Sequence, residues 1–225
     1  MTMARIRDQG LTILFLTLFA GAITGQAFAG LAQENADLAM HGQPPLVFWD
    51  FVTSSAFLVD VAENWQSEFL QFFVFIAATV WLVQRGSSES KLPGKEGLGS
   101  DREQLLGRHA ETSSPAWAKV RGLRRILYSN SLLLAMGTIF VLSWLAQSLA
   151  GVVVANDDRA AHGLQSIDWG AYVLSPDFWN RTLQNWQSEF LAVGTMIAFA
   201  IYLRQRGSPE SKPVGMPHDV TAAES

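Results

Sequence analysis

Two carboxylates offer the clearest chemistry in this sequence. Glu68 and Glu189 hold the same place in an identical segment, Asn-Trp-Gln-Ser-Glu-Phe-Leu, which begins at Asn64 and again at Asn185. Each carboxylate stands at the edge of a long apolar run, where an ionisable group is costly and is commonly functional. Two interpretations stay open. The carboxylates line a shared polar vestibule that binds a proton, a cation or a cationic substrate, or they hold helices together.

Further polar residues accompany each carboxylate. Helical spacing of i, i+3 and i+4 places an Asn, a Ser and the Glu on one face. A Gln in the preceding apolar run is expected at the same height and is predicted to hydrogen-bond the carboxylate, because lipid offers no partner to a polar group. The predicted intramembrane polar cluster comprises Gln26, Asn64, Ser67, Glu68, Gln147, Asn185, Ser188 and Glu189.

Two histidines occupy matching places in polar loops. His41 follows Asp37 by four residues, and His162 follows Asp158 by four. Imidazole and carboxylate are ordinary metal ligands, so a metal site is predicted if the two loops meet. A histidine that hydrogen-bonds within a turn is the alternative interpretation.

Enzyme signatures and cofactor motifs are missing from the sequence. It has no cysteine, which excludes disulfides and thiol chemistry. It also has no Gly-x-Ser-x-Gly, no phosphate-binding glycine loop followed by Lys and no His-Glu-x-x-His. We therefore predict that the chain is not an enzyme and holds no cofactor.

One offset of 121 residues relates the paired sites and the sequence around them. The same offset aligns Gln-Arg-Gly-Ser at Gln84 with Gln-Arg-Gly-Ser at Gln205. A repeat at a fixed offset predicts that each copy builds the same unit. The predicted organisation is a first repeat at 8–91, a flexible linker at 92–118, a second repeat at 129–212 and a disordered tail at 213–225.

Four apolar blocks indicate a membrane protein. Two are uncharged and long enough, at about 1.5 Å per residue, to cross a hydrocarbon core of roughly 30 Å. The other two are shorter and need upstream polar residues. Ser54 and Ser175 offer N-caps for these longer helices, and Gly86 and Gly207 offer helix-terminating glycines. We predict an all-α polytopic membrane protein with four transmembrane helices, as two tandem two-helix repeats in parallel orientation. The expected spans are 11–32, 66–85, 132–154 and 187–206.

The positive charges predict the orientation. All but two of the 16 Lys and Arg residues precede the first apolar block, lie between the second and third blocks, or follow the fourth, so both termini are expected in the cytoplasm. The sequence Ala-Phe-Ala that starts at Ala27 resembles a signal-peptide cleavage site. The counterpart of this apolar block, at Leu132, is internal and can only be a span, so we expect the first helix to be retained. The expected lipid anchors are Trp65, Arg85, Trp186 and Arg206.

Two cytoplasmic segments allow a functional and a structural interpretation. Arg-Gly-Ser-x-Glu-Ser-Lys occurs at 85–91 and at 206–212. Anchoring explains its Arg and Gly, but the repeated Glu-Ser-Lys indicates a shared contact, either between the copies or with a partner. The basic segment 117–125, with Trp117 at its start, is either a topology anchor or an anionic-lipid site.

A family resemblance rests on Gln-Ala-Phe-Ala-Gly at Gln26, on the repeated Asn-Trp-Gln-Ser-Glu-Phe-Leu and on the Gln-Arg-Gly-Ser segments. There the chain resembles a domain-of-unknown-function family of duplicated bacterial membrane proteins, over nearly everything outside the linker and tail. His-Gly-Gln-Pro-Pro at His41 matches the loops of that family, whereas the second copy departs after His162-Gly163. The resemblance implies a bacterial inner membrane and four helices, and it supplies no activity.

We therefore predict an integral membrane protein of the bacterial inner membrane that acts as a structural or partner-binding component. Its expected partners are the lipid bilayer and either a second copy of the chain or another membrane protein. Nucleic acid is not expected, because the net charge is −4. The alternative is a small proton- or cation-coupled carrier or channel that uses Glu68 and Glu189.

Overall fold

The structure is a computed structural model that describes residues 8–221. In this part the chain is all-α, which confirms the predicted class, and it forms seven α-helices and two short 3-10 helices without a strand. Residues 222–225 of the predicted tail lie outside the described residues. The helices are α1 (Gly10–Met40), α2 (Phe48–Val52), α3 (Ser55–Trp81), α4 (Leu123–Ser129), α5 (Ser131–Ala161), α6 (Trp169–Val173) and α7 (Pro176–Tyr202), with 3-10 turns at Gly107–His109 and Ala116–Ala118.

Three helices have a counterpart of equal length. The helices α5, α6 and α7 each begin and end 121 residues after α1, α2 and α3. The lengths are 31, 5 and 27 residues in both series. The helix positions thus follow the same offset as the sequence.

Helices α1 and α5 are long and apolar enough to cross a membrane. Each has 31 residues, or about 46 Å of helix, so each runs roughly two turns past its predicted span. Of the residues in the most apolar stretch of α1, only 6% are buried. Among the described residues these two helices are the candidate spans, since α3 and α7 begin with polar and charged residues.

The predicted N-caps of α3 and α7 are confirmed. The Ser54 hydroxyl accepts a hydrogen bond from the backbone N–H of Phe57 at 3.2 Å, and Ser175 accepts one from Phe178 at 3.3 Å. Pro176 then takes a first-turn position, where its missing N–H costs nothing. Each cap contributes about 0.5–2 kcal/mol to helix stability.

The predicted C-terminal ends of these helices are wrong. The prediction made Gly86 and Gly207 terminate the helices, but α3 ends at Trp81 and α7 at Tyr202. The glycines lie in later turns with φ of 87° and 86°, and a backbone hydrogen bond of 3.2 Å closes each turn. Glycine is the third residue of each turn, where a type II turn requires positive φ. The predicted spans therefore extend four residues beyond the helices.

The chain divides into two compact units, of which one comprises Met1–Val61 and Ala146–Tyr172. In this unit, α1 packs closely against α2, and α5 against α6, and a glycine of the long helix lies at each close contact. A Cβ on Gly30 would lie 2.7 Å from the ring of Phe51, and a Cβ on Gly151 would collide with the side chain of Tyr172. Only glycine permits an approach of this kind.

An asparagine on each long helix of this unit fixes the loop that follows. The Asn35 side chain accepts from the backbone N–H of Leu46 at 2.6 Å and donates to its carbonyl at 3.1 Å. Asn156 makes the same two bonds to Ile167, at 2.8 and 3.0 Å. Because the asparagine binds both the backbone N–H and the backbone carbonyl of a single loop residue, the segment just before each short helix is held against the preceding long helix.

The other unit comprises Ala62–Leu145 and Val173–Ser225. Its core contains a stack of aromatic rings around Trp144, with centroids 5.7 Å from Phe140 and 6.0 Å from Phe178. The linker residues lie near α4, where Asp101 binds Arg125 at 3.2 Å. The flexibility expected for 92–118 stays a prediction.

Candidate functional site

A charged contact joins α3 and α7 in the second unit. A guanidinium nitrogen of Arg181 lies 3.5 Å from one Glu63 oxygen, and the amide of Asn185 donates to the other at 2.9 Å. The Glu63 side chain is 17% exposed and that of Arg181 is 41% exposed. A carboxylate this far from water needs partners, and here a cation and an amide both supply them.

A neutral hydrogen bond continues this contact one turn further along the helices. The Trp186 indole N–H donates to the side-chain oxygen of Gln66 at 2.7 Å. Gln66 is fully buried, and its amide nitrogen has no partner among the described residues. We call these five residues the α3–α7 clasp: Glu63, Gln66, Arg181, Asn185 and Trp186.

Aromatic rings and a buried hydroxyl pack beside the clasp. The centroid of Trp144 lies 5.9 Å from that of Trp186, and that of Phe140 lies 6.4 Å from it. The indole N–H of Trp144 donates to the hydroxyl of Thr182 at 3.5 Å, and Thr182 is fully buried. The clasp therefore sits against a packed, mostly apolar surface.

The structure assembles the predicted polar cluster only in part. Asn185 belongs to the clasp. Ser67 is buried and donates to the carbonyl of Asn64 at 2.9 Å, and Ser188 donates in the same way to the carbonyl of Asn185 at 2.8 Å. Asn64 is exposed. Both serines thus satisfy their hydroxyls on their own helix.

The two carboxylates singled out by the sequence lie outside the clasp. Glu68 is exposed and Glu189 is half-buried. The charge of Glu68 is close enough to act on Glu189.

The glutamines of the long helices differ from each other in environment. Gln26 is half-buried, whereas Gln147 is fully buried. Neither polar atom of the Gln147 amide has a hydrogen-bond partner in the part of the chain that the structure describes. The pairing predicted between this amide and Glu189, which belongs to the other unit, stays a prediction.

The four predicted lipid anchors differ in exposure: three are exposed and one is half-buried. Trp65 is 40% exposed, and Arg85 and Arg206 are exposed. Trp186 is instead half-buried, and its N–H is bound to Gln66 within the clasp.

The structure does not assemble a metal site at the histidines. Nδ1 of His41 lies 2.8 Å from the carbonyl oxygen of Asp37, and His162 makes the same contact with Asp158 at 2.8 Å. No group of three or more metal-binding side chains occurs within residues 8–221. The alternative interpretation, a histidine that hydrogen-bonds within its turn, describes the geometry.

The repeated Arg-Gly-Ser segments meet each other in the second unit, which is one of the two kinds of contact that the sequence left open. The Ser88 hydroxyl donates to the carbonyl of Glu210 at 3.0 Å, and the side chains of Glu89 and Glu210 are within hydrogen-bonding reach. Burial, and next the charge of Glu210, raise the pKa of Glu89. We call this contact the carboxyl pair.

A buried lysine closes the end of the second segment. Lys212 is 2% exposed, and its ammonium donates to three backbone carbonyls at 3.0–3.1 Å. Burial, followed by the nearby Arg204, lowers the pKa of Lys212. The three carbonyls belong to Pro217, His218 and Val220.

Sequence reasoning did not identify Glu63, Gln66 or Arg181 as site residues. A signal for Arg181 was present, because it is one of two cations outside the segments that the sequence predicts to be cytoplasmic. Such an arginine needs a counter-charge, and Glu63 and Asp177 each place a carboxylate oxygen 3.5 Å from its guanidinium.

Comparison with known proteins gives a match over almost the whole length. A family model described as Domain of unknown function (DUF6766) matches residues 2–223. No curated protein and no solved structure matches the chain.

Proposed function

The chain belongs to the family described as Domain of unknown function (DUF6766), and we propose that it is an integral membrane protein that acts as a structural or partner-binding component. The observation that carries this proposal is the surface of α1. Leu11, Phe15 and Leu16 expose 73%, 64% and 61% of their area. Burying apolar surface gains about 25 cal/mol per Å², a gain that lipid supplies and water does not.

We further propose four spans, formed as two tandem two-helix repeats. The equal lengths and the constant offset of the helices support the repeat. Helices α3 and α7 are about 40 Å long and also present large apolar side chains, such as Phe72 at 46%, Leu191 at 72% and Phe199 at 55% exposure. Their polar first turns then stand at the outer boundary of the membrane.

The location that fits this topology is a bacterial inner membrane, with both termini in the cytoplasm. The distribution of Lys and Arg supports the orientation, and two spans in each repeat give the repeats the same direction. The resemblance seen in the sequence supports the bacterial assignment.

The clasp supports a structural role. Its polar groups bind one another across α3 and α7, which is how side-chain hydrogen bonds hold helices together in membranes. Such bonds contribute roughly 0.6–2 kcal/mol each. A fixed helix pair leaves the outward faces free to bind lipid or another protein.

Two measurements on native membranes test the proposal. We expect the full chain to stay in the membrane pellet after alkaline carbonate extraction, and its release would contradict membrane integration. We expect an amine crosslinker, which can react with Lys95 and Lys119, to give adducts larger than the monomer. Monomers alone, in membranes where a known oligomer crosslinks, would contradict the partner-binding role.

The second candidate function is a proton- or cation-coupled carrier that uses Glu68 and Glu189. The observation in its favour is that the charge of Glu68 acts on Glu189. Flux into liposomes containing the wild type would be compared with Glu68→Gln, Glu189→Gln and the double variant, with Arg102→Gln, an exposed change in the linker, as the control. A flux that the Gln variants abolish at unchanged melting temperature would establish the carrier. Lower melting temperatures without any flux would support the structural role.

A further inference from the structure

The short helix α4 has one apolar face that the protein leaves uncovered. Leu123, Ile126 and Leu127 share this face through i, i+3 and i+4 spacing, and they are 69%, 58% and 41% exposed. The opposite face holds Arg125, which binds Asp101 of the linker at 3.2 Å. The helix is therefore amphipathic, and its polar side is the one that the protein covers.

Positive charge borders this face. Arg124 is one residue along the helix from Leu123, and Arg121 lies two residues before the helix starts. Both are exposed, and neither has an ion-pair partner among the described residues. Trp117, 48% exposed, packs edge-on against Tyr128 with centroids 6.4 Å apart. This combination of free arginines, an exposed tryptophan and an apolar face is typical of helices that lie in the membrane interface.

Chain connectivity places α4 at a membrane boundary if α5 is a span. Helix α4 ends at Ser129 and α5 starts at Ser131, so one residue separates the helix from the candidate span. A headgroup phosphate is the anion present at that depth, and juxtamembrane arginines are attracted to anionic leaflets.

We propose that α4 and residues 117–122 form an anionic-lipid docking surface, on which Leu123, Ile126 and Leu127 enter the leaflet and Arg121 and Arg124 bind lipid phosphates. This inference rests on the membrane integration proposed above. It gives the linker a fixed attachment at the bilayer surface, through the ion pair between Asp101 and Arg125.

A single fluorophore at Leu127→Cys tests this surface, because the chain has no native cysteine. The full chain is reconstituted into phosphatidylcholine vesicles with increasing fractions of phosphatidylglycerol, and quenching by a lipid with a shallow spin label is measured. We expect quenching to rise with phosphatidylglycerol. Attraction of each arginine to the anionic surface corresponds to about a fivefold change in affinity for the lipid. The double variant Arg121→Gln with Arg124→Gln should therefore raise the phosphatidylglycerol fraction needed for half-maximal quenching beyond the accessible range.

The matched control removes the same charge elsewhere in the linker. Arg102→Gln with Arg108→Gln should leave the lipid titration unchanged, because both residues lie outside the docking surface. Equal quenching in pure phosphatidylcholine, an equal loss in the control, or an equal response to free inorganic phosphate would overturn the proposal. Flotation of the same vesicles separates the two hypotheses. A chain that does not float refutes membrane integration, whereas one that floats without charge-dependent quenching refutes only the docking surface.

Discussion

Arg181→Gln should destabilise the protein, because it leaves the Glu63 carboxylate with less compensation in a largely buried position. The Glu63 side chain is 17% exposed and keeps only the amide bond from Asn185 among the clasp contacts. Exposed ion pairs contribute about 0–1 kcal/mol, and breaking a fully buried pair costs about 3–5 kcal/mol. This pair lies between those limits, so we expect a loss of about 1–3 kcal/mol. At roughly 2–4 °C per kcal/mol for a chain of this size, the melting temperature should fall by about 2–12 °C.

The assay is thermal unfolding in detergent of Arg181→Gln, Glu63→Gln and the double variant, followed by tryptophan fluorescence. Removing both charges should be less harmful than removing Arg181 alone, because no largely buried charge then lacks a partner. Asp177, the other carboxylate 3.5 Å from Arg181, is 58% exposed and is solvated by water. Arg102→Gln, an exposed change in the linker, should shift unfolding by no more than about 0.5 kcal/mol. A melting temperature of Arg181→Gln equal to that of this control would refute the reasoning, as would a double variant that equals the sum of the single effects.

Two other contacts give equally direct predictions. The raised pKa of Glu89 means that the folded state binds this proton more tightly than the unfolded state, so stability is lost as pH rises from the ordinary value of 4.5 through the raised pKa. Glu89→Gln should therefore have a higher melting temperature than the wild type at pH 7, and the two melting temperatures should converge near pH 4.5. A lower melting temperature for the variant at pH 7 would contradict the repulsion assigned to Glu210. Gly151→Ala should destabilise by about 1–3 kcal/mol because its Cβ would collide with Tyr172. Gly21→Ala, with nothing within 4 Å, should not destabilise, and equal melting of the two alanine variants would argue against the close approach.

Local chemistry explains what the sequence could predict. Ser54 and Ser175 were identifiable as caps because a capping hydroxyl bonds to a backbone N–H only three residues away. The ends at Gly86 and Gly207 were predicted wrongly, because a C-terminal cap and a type II turn both require glycine at positive φ. Sequence alone does not distinguish the two until the hydrogen-bond pattern is known.

The clasp could not be read from the sequence for a different reason. Glu63 and Arg181 are 118 residues apart, and no local pattern relates them. The repeat gave no help either. The counterpart of Glu63 is Gln184 and that of Arg181 is Asp60, so the ion pair lies where the copies differ. Identity between the copies directed attention to Glu68 and Glu189, which lie outside the clasp.

Accessibility of single cysteines to a membrane-impermeant maleimide tests the central claim of four spans most directly. The cysteine-free chain allows Gln43→Cys, Ser113→Cys and Gln165→Cys, three exposed positions, to be labelled one at a time in intact and permeabilised cells. Four spans predict that positions 43 and 165 react in intact cells and that position 113 reacts only after permeabilisation. If position 113 reacts in intact cells and position 165 does not, only α1 and α5 cross the membrane and the four-span account is wrong.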